Sequence, residues 1–215
     1  GREGSGEGGP GVRESYIHVE VDRQSEPEVL DRLRAEIERV LADVRAAVED
    51  WEPMREQVRR ILAEFDERPP PVDEAELAEA RALLEWTENH HFTFLGYRAY
   101  DLLELDGDDV LRPVEGTGLG ILRQAAKPAS GSFAKLPPEA RRHAREPHVL
   151  ILTKANSHST VHRPSYLDYI GVKRFDEQGK VVGEWRFLGL YTSAAYNRNP
   201  RDIPVLRRKV AKVLE

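Results

Sequence analysis

The chain contains no cysteine. That excludes disulfides, thiolate nucleophiles and cysteine zinc sites, and it fits a cytoplasmic protein. No run of about eighteen apolar residues occurs, so no stretch reads as a bilayer-spanning helix. The opening GREGSGEGGPG has no apolar centre, which a secretory signal needs, and reads as a flexible, acidic lead-in. The first residue is Gly rather than Met, and the closing IPVLRRKVAKVLE has helical character but no Gly or Asn cap after it. The expectation is an internal fragment of a longer protein.

What is present is charge and enough apolar material for a core: 33% charged and 40% hydrophobic residues over 215 positions, suiting one ordinary domain with extra elements or two small ones. The net charge of −6 is unevenly spread. From Arg141 onward there are 15 Lys and Arg against 7 Asp and Glu, a balance of +8, which leaves −14 for residues 1–140. An acidic front and a basic rear suit faces that attract each other or a polar assembly interface. The basic residues lack interleaved aromatics, so nucleic acid is not an expected partner, and neither is a membrane.

Along the chain, residues 15–23 alternate, with Ile17, Val19 and Val21 opposite Tyr16, His18, Glu20 and Asp22, the pattern of a half-buried strand with no local partner. Ser25-Glu26-Pro27-Glu28 opens a helix: Ser25 as cap, Glu28 closing the box, Pro27 where its missing N–H costs nothing. Leu30, Leu33, Ile37, Val40, Val44, Ala47, Trp51, Met54, Val58, Ile61 and Phe65 then follow at alternating steps of three and four, a heptad seam suited to an oligomerisation or interdomain arm. Pro53 kinks the helix or divides it into a hairpin. The Pro69–Pro71 run ends the arm as a stiff linker.

A second helix covers 72–89, capped near Asp73, with Leu77, Ala80 and Leu84 inward. The period changes at Asn89-His90-His91 into a strand from Phe92, an Asp106-Gly107 turn and a second strand. The stretch 127–138 reads as loop and 139–145 as a short helix. Three strands follow, near 149–152, 169–175 and 181–191, then a final helix. Trp185 and Phe187 alternate with Glu184 and Arg186, which reads as one buried and one wet face, with Tyr169 as packing. The fold class is α+β: a five-stranded antiparallel sheet with flanking helices, preceded by the arm and one lone strand. Two strands, a helical crossing and three strands is also the element order of PAS-like sensor domains. The expected divisions are 1–24, 25–68 and 72–215.

No motif points to chemistry within the chain. GTGLG (116–120) lacks the Lys-Ser/Thr of a phosphate loop and reads as a flexible turn. His90 and His91 are strand neighbours facing opposite ways, so they do not form a metal site with His158 or His162. Ser157, Ser159 and Thr160 lie near His158 and His162 without a nucleophile elbow. The notable segment is the polar stretch after Leu152, TKANSHSTVHR. Its Lys154, Asn156, Ser157, His158, Ser159, Thr160, His162 and Arg163 are costly to bury and unnecessary for a turn. They suit either a small anion held by charge-assisted hydrogen bonds or docking to acidic residues of another domain.

TFLGYRAYDL, LGILR, LTKANSHSTVHRPSYLDYIGVKRF and GEWRFLGLYTSAAYNRNPRDIPVLRRKV closely resemble the N-terminal regulatory half of the large bacterial NAD-specific glutamate dehydrogenases. SYIHVEVDRQ and VLADVRAAVEDWEPMR resemble the end of that family's ACT-like domain and the helical segment after it. The loop after Gly107 and the stretch 127–138 match nothing characteristic. The resemblance implies a parent that converts L-glutamate, NAD and water to 2-oxoglutarate, ammonium and NADH as a homo-oligomer. It implies a PAS-like regulatory or assembly module with no catalytic residue and no bound cofactor or metal of its own. Its partners would be other domains and subunits, and a small amino-acid-like effector.

Overall fold

The computed structural model describes residues 16–123, 134–135 and 144–214. The chain divides into two compact units, residues 1–36 and 37–215. In the first, residues 16–26 are irregular and Ile17, Val19 and Val21 are exposed. The expected lone strand does not form there. A strand needs a neighbour to satisfy its N–H and C=O groups, and no described residue pairs with this one. Helix α1 (Pro27–Glu49) begins at the proline, as expected, with the Glu26 carbonyl accepting from Val29 at 3.1 Å and Leu30 at 3.2 Å.

The second unit is α+β. Helix α2 (Trp51–Glu67) follows α1 after one residue, Asp50 (φ −94°, ψ 7°). Pro53 has no N–H to offer the Glu49 carbonyl, so the ladder breaks three residues before the proline rather than at it. Helix α3 (Glu74–Trp86) is capped by Asp73, whose carboxylate accepts from Glu76 N–H at 2.8 Å. A π-helical turn, Thr87–His91, with His90 at φ 61°, switches the chain into β1 (Phe92–Leu105). Then come β2 (Asp108–Pro113), the two-residue strands β3 (Leu119–Gly120) and β4 (Ala134–Lys135), β5 (Leu150–His158), β6 (Tyr166–Phe175) and β7 (Val181–Tyr191). A short helix α4 (Ser193–Tyr196) and α5 (Leu206–Leu214) end the chain. The expected short helix at 139–145 lies almost wholly outside the described residues.

The sheet runs β4-β2-β1-β7-β6-β5, antiparallel throughout, with β3 also on β1. Its five long strands and flanking helices meet the α+β expectation. The Asp106-Gly107 turn has φ of 53° and 80°, the two positive values that a two-residue hairpin of right-handed twist requires. The polar stretch was expected as a loop, but β5 continues through Thr153–His158 because Lys154 and His158 still pair with Asp168 and Tyr166, across a bulge.

Each sheet face has its own core. On one, Phe94, Tyr97, Ile170, Val172 and Phe187 pack with Met54, Val58, Ile61 and Phe65 of α2 and Ala80 and Leu84 of α3. On the other, Leu95, Leu167, Leu188 and Leu190 pack with Ala47 of α1 and Val161. The heptad seam therefore divides at Asp50. In its second half Met54, Val58, Ile61 and Phe65 are buried, each contributing about 1.5–3 kcal/mol, and Trp51 is exposed; in its first half Ala47 is buried while Leu30, Leu33 and Ile37 remain exposed.

Asp50 ties this break to the GTGLG segment, which is not the flexible turn expected. Its buried carboxylate accepts from Gly120 N–H at 2.7 Å and from Arg123 Nε and Nη2 at 2.9 and 2.7 Å; Arg123 Nη1 reaches Glu49 at 2.9 Å. Gly120 has φ 59°, and a Cβ there would lie 2.1 Å from the Leu95 carbonyl oxygen. The hydrogen bond from Arg123 lowers the Asp50 pKa, burial opposes it, and the Gly120 N–H assists. A lowered folded pKa stabilises above the unfolded value near 4 and loses that contribution as pH falls through the folded one. Asp50→Ala is expected to cost about 1–2 kcal/mol in urea unfolding at neutral pH, a modest figure because Arg123 is half exposed. The gap between the parent and Asp50→Asn should narrow in acid; a gap unchanged to about pH 2 would show that the charge is irrelevant.

Candidate ligand site on the sheet

The polar segment singled out by sequence is spread out rather than convergent. Lys154 Nζ meets the buried Asp168 at 2.5 Å, whose second oxygen accepts the Tyr191 N–H at 3.1 Å. Asn156 and Ser157 are exposed. The His158 ring lies 3.9 Å from that of Tyr166. Ser159 is buried, its hydroxyl donating to the Val161 carbonyl at 2.7 Å and accepting from Val161 N–H at 3.1 Å. Thr160 donates to Asp43 at 2.9 Å, within the same unit. His162 is exposed at φ 71°. Arg163 donates to the Tyr191 carbonyl at 2.8 Å and lies 5.6 Å from the Tyr196 ring centre. The two cations are thus turned to different partners, the Ser159 hydroxyl serves a local turn and the Thr160 hydroxyl ties the segment to α1.

Of the two histidines before β1, one is packed into the structure. His91 is buried, stacked on Trp86 at 4.4 Å, with Nδ1 2.9 Å from the Trp86 carbonyl, while His90 is exposed. Among the described residues no three His, Asp or Glu side chains are placed to hold a metal ion.

A different group converges. Strand register sets Lys173 opposite Glu184, Gly171 opposite Arg186 and Tyr169 opposite Leu188, all on the sheet face away from α2 and α3. The expectation of a wet face there is corrected: Glu184 is 4% and Lys173 2% exposed. They border a cleft of about 590 Å³ whose apolar wall is Leu102, Leu111, Leu150, Ile151 and Val181. Glu184 Oε1 receives the Tyr169 hydroxyl at 2.5 Å and Arg186 Nε and Nη2 at 2.8 and 2.5 Å. The guanidinium is 3.9 Å from the Tyr100 ring centre and 5.0 Å from that of Tyr169. Lys173 Nζ donates to the Glu146 carbonyl at 2.7 Å. Gly171 keeps the floor low, because a Cβ there would lie 2.9 Å from Tyr169 Cε1. The sequence signal was Glu-x-Arg on one strand and Tyr-x-Gly-x-Lys on the next; only the register, absent from the sequence, makes them a cluster.

The electrostatics follow from burial in a partly charged setting. Burial and the Glu184 charge push the Tyr169 phenol far up, Arg186 opposing. Burial works against the Arg186 charge, but Tyr169 and Glu184 more than offset it and its pKa is raised. Burial lowers the Lys173 pKa, opposed by Glu146, Glu184 and Glu76.

With this geometry in view, comparison with known proteins is informative. The chain is similar to segments of NAD-specific glutamate dehydrogenases. It is 40% identical over 208 residues, 96% of its length, to that of Halomonas elongata, of which it spans 13%. It is 38% identical over 203 residues, 94% of its length, to that of Pseudomonas aeruginosa, spanning 12%. With that of Mycobacterium tuberculosis the identity is 26% over 209 residues, 95% of the chain and 12% of the relative. No protein-family model matches the chain. The chain thus spans about an eighth of the length of the curated relatives it matches. None of its described helices is long and apolar enough to cross a membrane.

Burial also pushes the phenols of Tyr97 and Tyr191 up to about 12. A raised folded pKa leaves their stabilisation intact below the unfolded value near 10, and it is lost as pH rises through the folded values. In an alkaline titration followed by phenolate absorbance, Tyr97, Tyr169 and Tyr191 are expected to stay protonated until the chain unfolds. Smooth ionisation of every tyrosine near pH 10 without unfolding would contradict the buried placement. Tyr169→Phe, which takes one donor from Glu184, should cost about 1–2 kcal/mol in urea.

Proposed function

We propose that this chain is a regulatory, non-catalytic segment of a large, cytoplasmic NAD-specific glutamate dehydrogenase. The catalytic and NAD-binding residues of the parent, which oxidises L-glutamate to 2-oxoglutarate and ammonium, lie elsewhere in it. The similarity along nearly the whole chain to about an eighth of such enzymes supports that placement. In this reading residues 1–24 close an ACT-like domain, 25–68 form the helical linker, and 72–215 are a PAS-like domain. The order of the five long strands, β2-β1-β7-β6-β5, with a crossing segment between the second and third, supports the last assignment.

The observation that carries a sensing role is the cluster of buried Glu184 with half-buried Arg186 and Tyr169 on the floor of an apolar-walled cleft. A roomy apolar pocket with a few convergent polar groups is the usual form of a small-molecule site. A metabolite held there acts on the parent by favouring one of its conformations over another. The Lys154–Arg163 segment then serves to position the edge of the sheet and to face other domains. A second reading, a ligand-free scaffold for subunits of a homo-oligomer, draws on the exposed Ile37, Leu41 and Val48 of α1.

A thermal-shift screen of metabolites tests these readings against the parent chain, Arg163→Ala and Ile151→Trp, the last filling the cleft from a half-buried position. A ligand at about 100 times its Kd adds about 2.7 kcal/mol, a rise of about 5–10 °C in Tm for a chain of this size. The expected pattern is a rise in the parent and in Arg163→Ala but not in Ile151→Trp. Loss in Arg163→Ala alone moves the site to the polar segment, and no rise with any metabolite leaves the scaffold. The chain alone should show no turnover with glutamate and NAD.

A further inference from the structure

The cleft also indicates what kind of molecule it takes, granting that it is the effector site. Two atoms on its floor are left over. Arg186 spends Nε and Nη2 on Glu184 Oε1 and Tyr169, and Glu184 accepts everything on Oε1. Arg186 Nη1 and Glu184 Oε2 make no hydrogen bond with any described residue, and both side chains line the cleft. The floor therefore offers one charged donor and one charged acceptor from a single ion pair. Their orientation is fixed in advance by the Tyr100 and Tyr169 rings about the guanidinium and by Gly171 beneath Glu184 Oε2, 3.4 Å from its would-be Cβ. Preorganised groups of this sort bind without the cost of being ordered.

The charge around these atoms is balanced. Arg186 faces Glu184, while Lys173 donates to the Glu146 backbone and lies in the fields of Glu146, Glu184 and Glu76. Among the described residues no surplus positive charge waits for an anion, so a plain carboxylate would bring an uncompensated charge into a half-buried site. A ligand with its own adjacent plus and minus leaves the balance unchanged: its carboxylate meets Arg186 Nη1 and its ammonium meets Glu184 Oε2. Around that head the wall is hydrocarbon, from Leu102, Leu111, Leu150, Ile151 and Val181. We propose that the cleft binds a free α-amino acid with an apolar side chain, head group on Arg186 and Glu184, side chain along the aliphatic wall. Of the small anionic and amino-acid-like effectors that the sequence reading allows, the cleft favours the zwitterionic kind.

Titration calorimetry on the whole 215-residue chain tests this with L-leucine, L-methionine and L-phenylalanine, beside isocaproate, which lacks the ammonium, and isoamylamine, which lacks the carboxylate. At least one amino acid should bind, with both truncated analogues about tenfold or more weaker, since each leaves one charged floor atom without a partner. Glu184→Gln should lose most of the preference for the amino acid over isocaproate, and Ile151→Trp should abolish binding. The ligand comparison needs no variant, so it holds even if Glu184→Gln fails to fold. Isocaproate binding as tightly as leucine, or amino-acid binding untouched by Ile151→Trp, overturns the proposal. If the thermal screen finds a metabolite of another class in the cleft while no amino acid binds, this inference falls and the regulatory reading stands. If nothing binds, both fall.

Discussion

Asp50 is the residue on which the arrangement turns. It ends one helix and begins the next, and its carboxylate holds both the Gly120 backbone and Arg123. Because the helical axis is broken there, the end of α1 supplies Ala47 to one face of the sheet while α2 lays its seam on the other. A single uninterrupted helix would serve only one face. The carboxylate also fixes β3 against β1 at the one place where a side chain on Gly120 would strike the backbone. Covering of both faces and the path of the loop beside the sheet thus follow from one buried acid.

Much of this was open to sequence reasoning where local chemistry decides. The Asp73 cap, the proline opening α1, the change of period at His91 and the Asp106-Gly107 turn were each legible, because neighbouring residues alone dictate them. The strands failed to be legible where partners decide. Residues 16–23 alternate as a strand should, yet no ladder forms among the described residues. Thr153–His158 is polar enough for a loop, yet it pairs with β6. Pattern reports a face to bury; it does not report whether a neighbour exists.

The candidate site illustrates the same limit. Histidines, hydroxyls and cations crowded between 153 and 163 drew attention by being contiguous, but extended backbone turns neighbours in opposite directions, and Lys154, Ser159, Thr160 and Arg163 each meet a different partner. The cluster that does converge is assembled across β6 and β7, from residues that look like ordinary alternating strand. Glu184 and Arg186 read as a wet face because charge ordinarily means water. Here β7 lies between β1 and β6, Glu184 is buried and Arg186 half-buried, and their costly desolvation is offset by one another and by Tyr169.

The sheet order carries a kinetic consequence. β1 lies in the middle of the sheet, yet its main partner is the last strand: Phe92 pairs with Tyr191 and Tyr97 with Phe187. During synthesis β1 and β2 can form their hairpin at once, but the long edge of β1 stays bare until β7 has emerged. Closing so distant a pairing is slow, and an open apolar edge meanwhile invites other chains. The sheet is therefore closed only when β7 is present, and a chain cut short before Tyr191 is left with an unpaired strand, prone to aggregate.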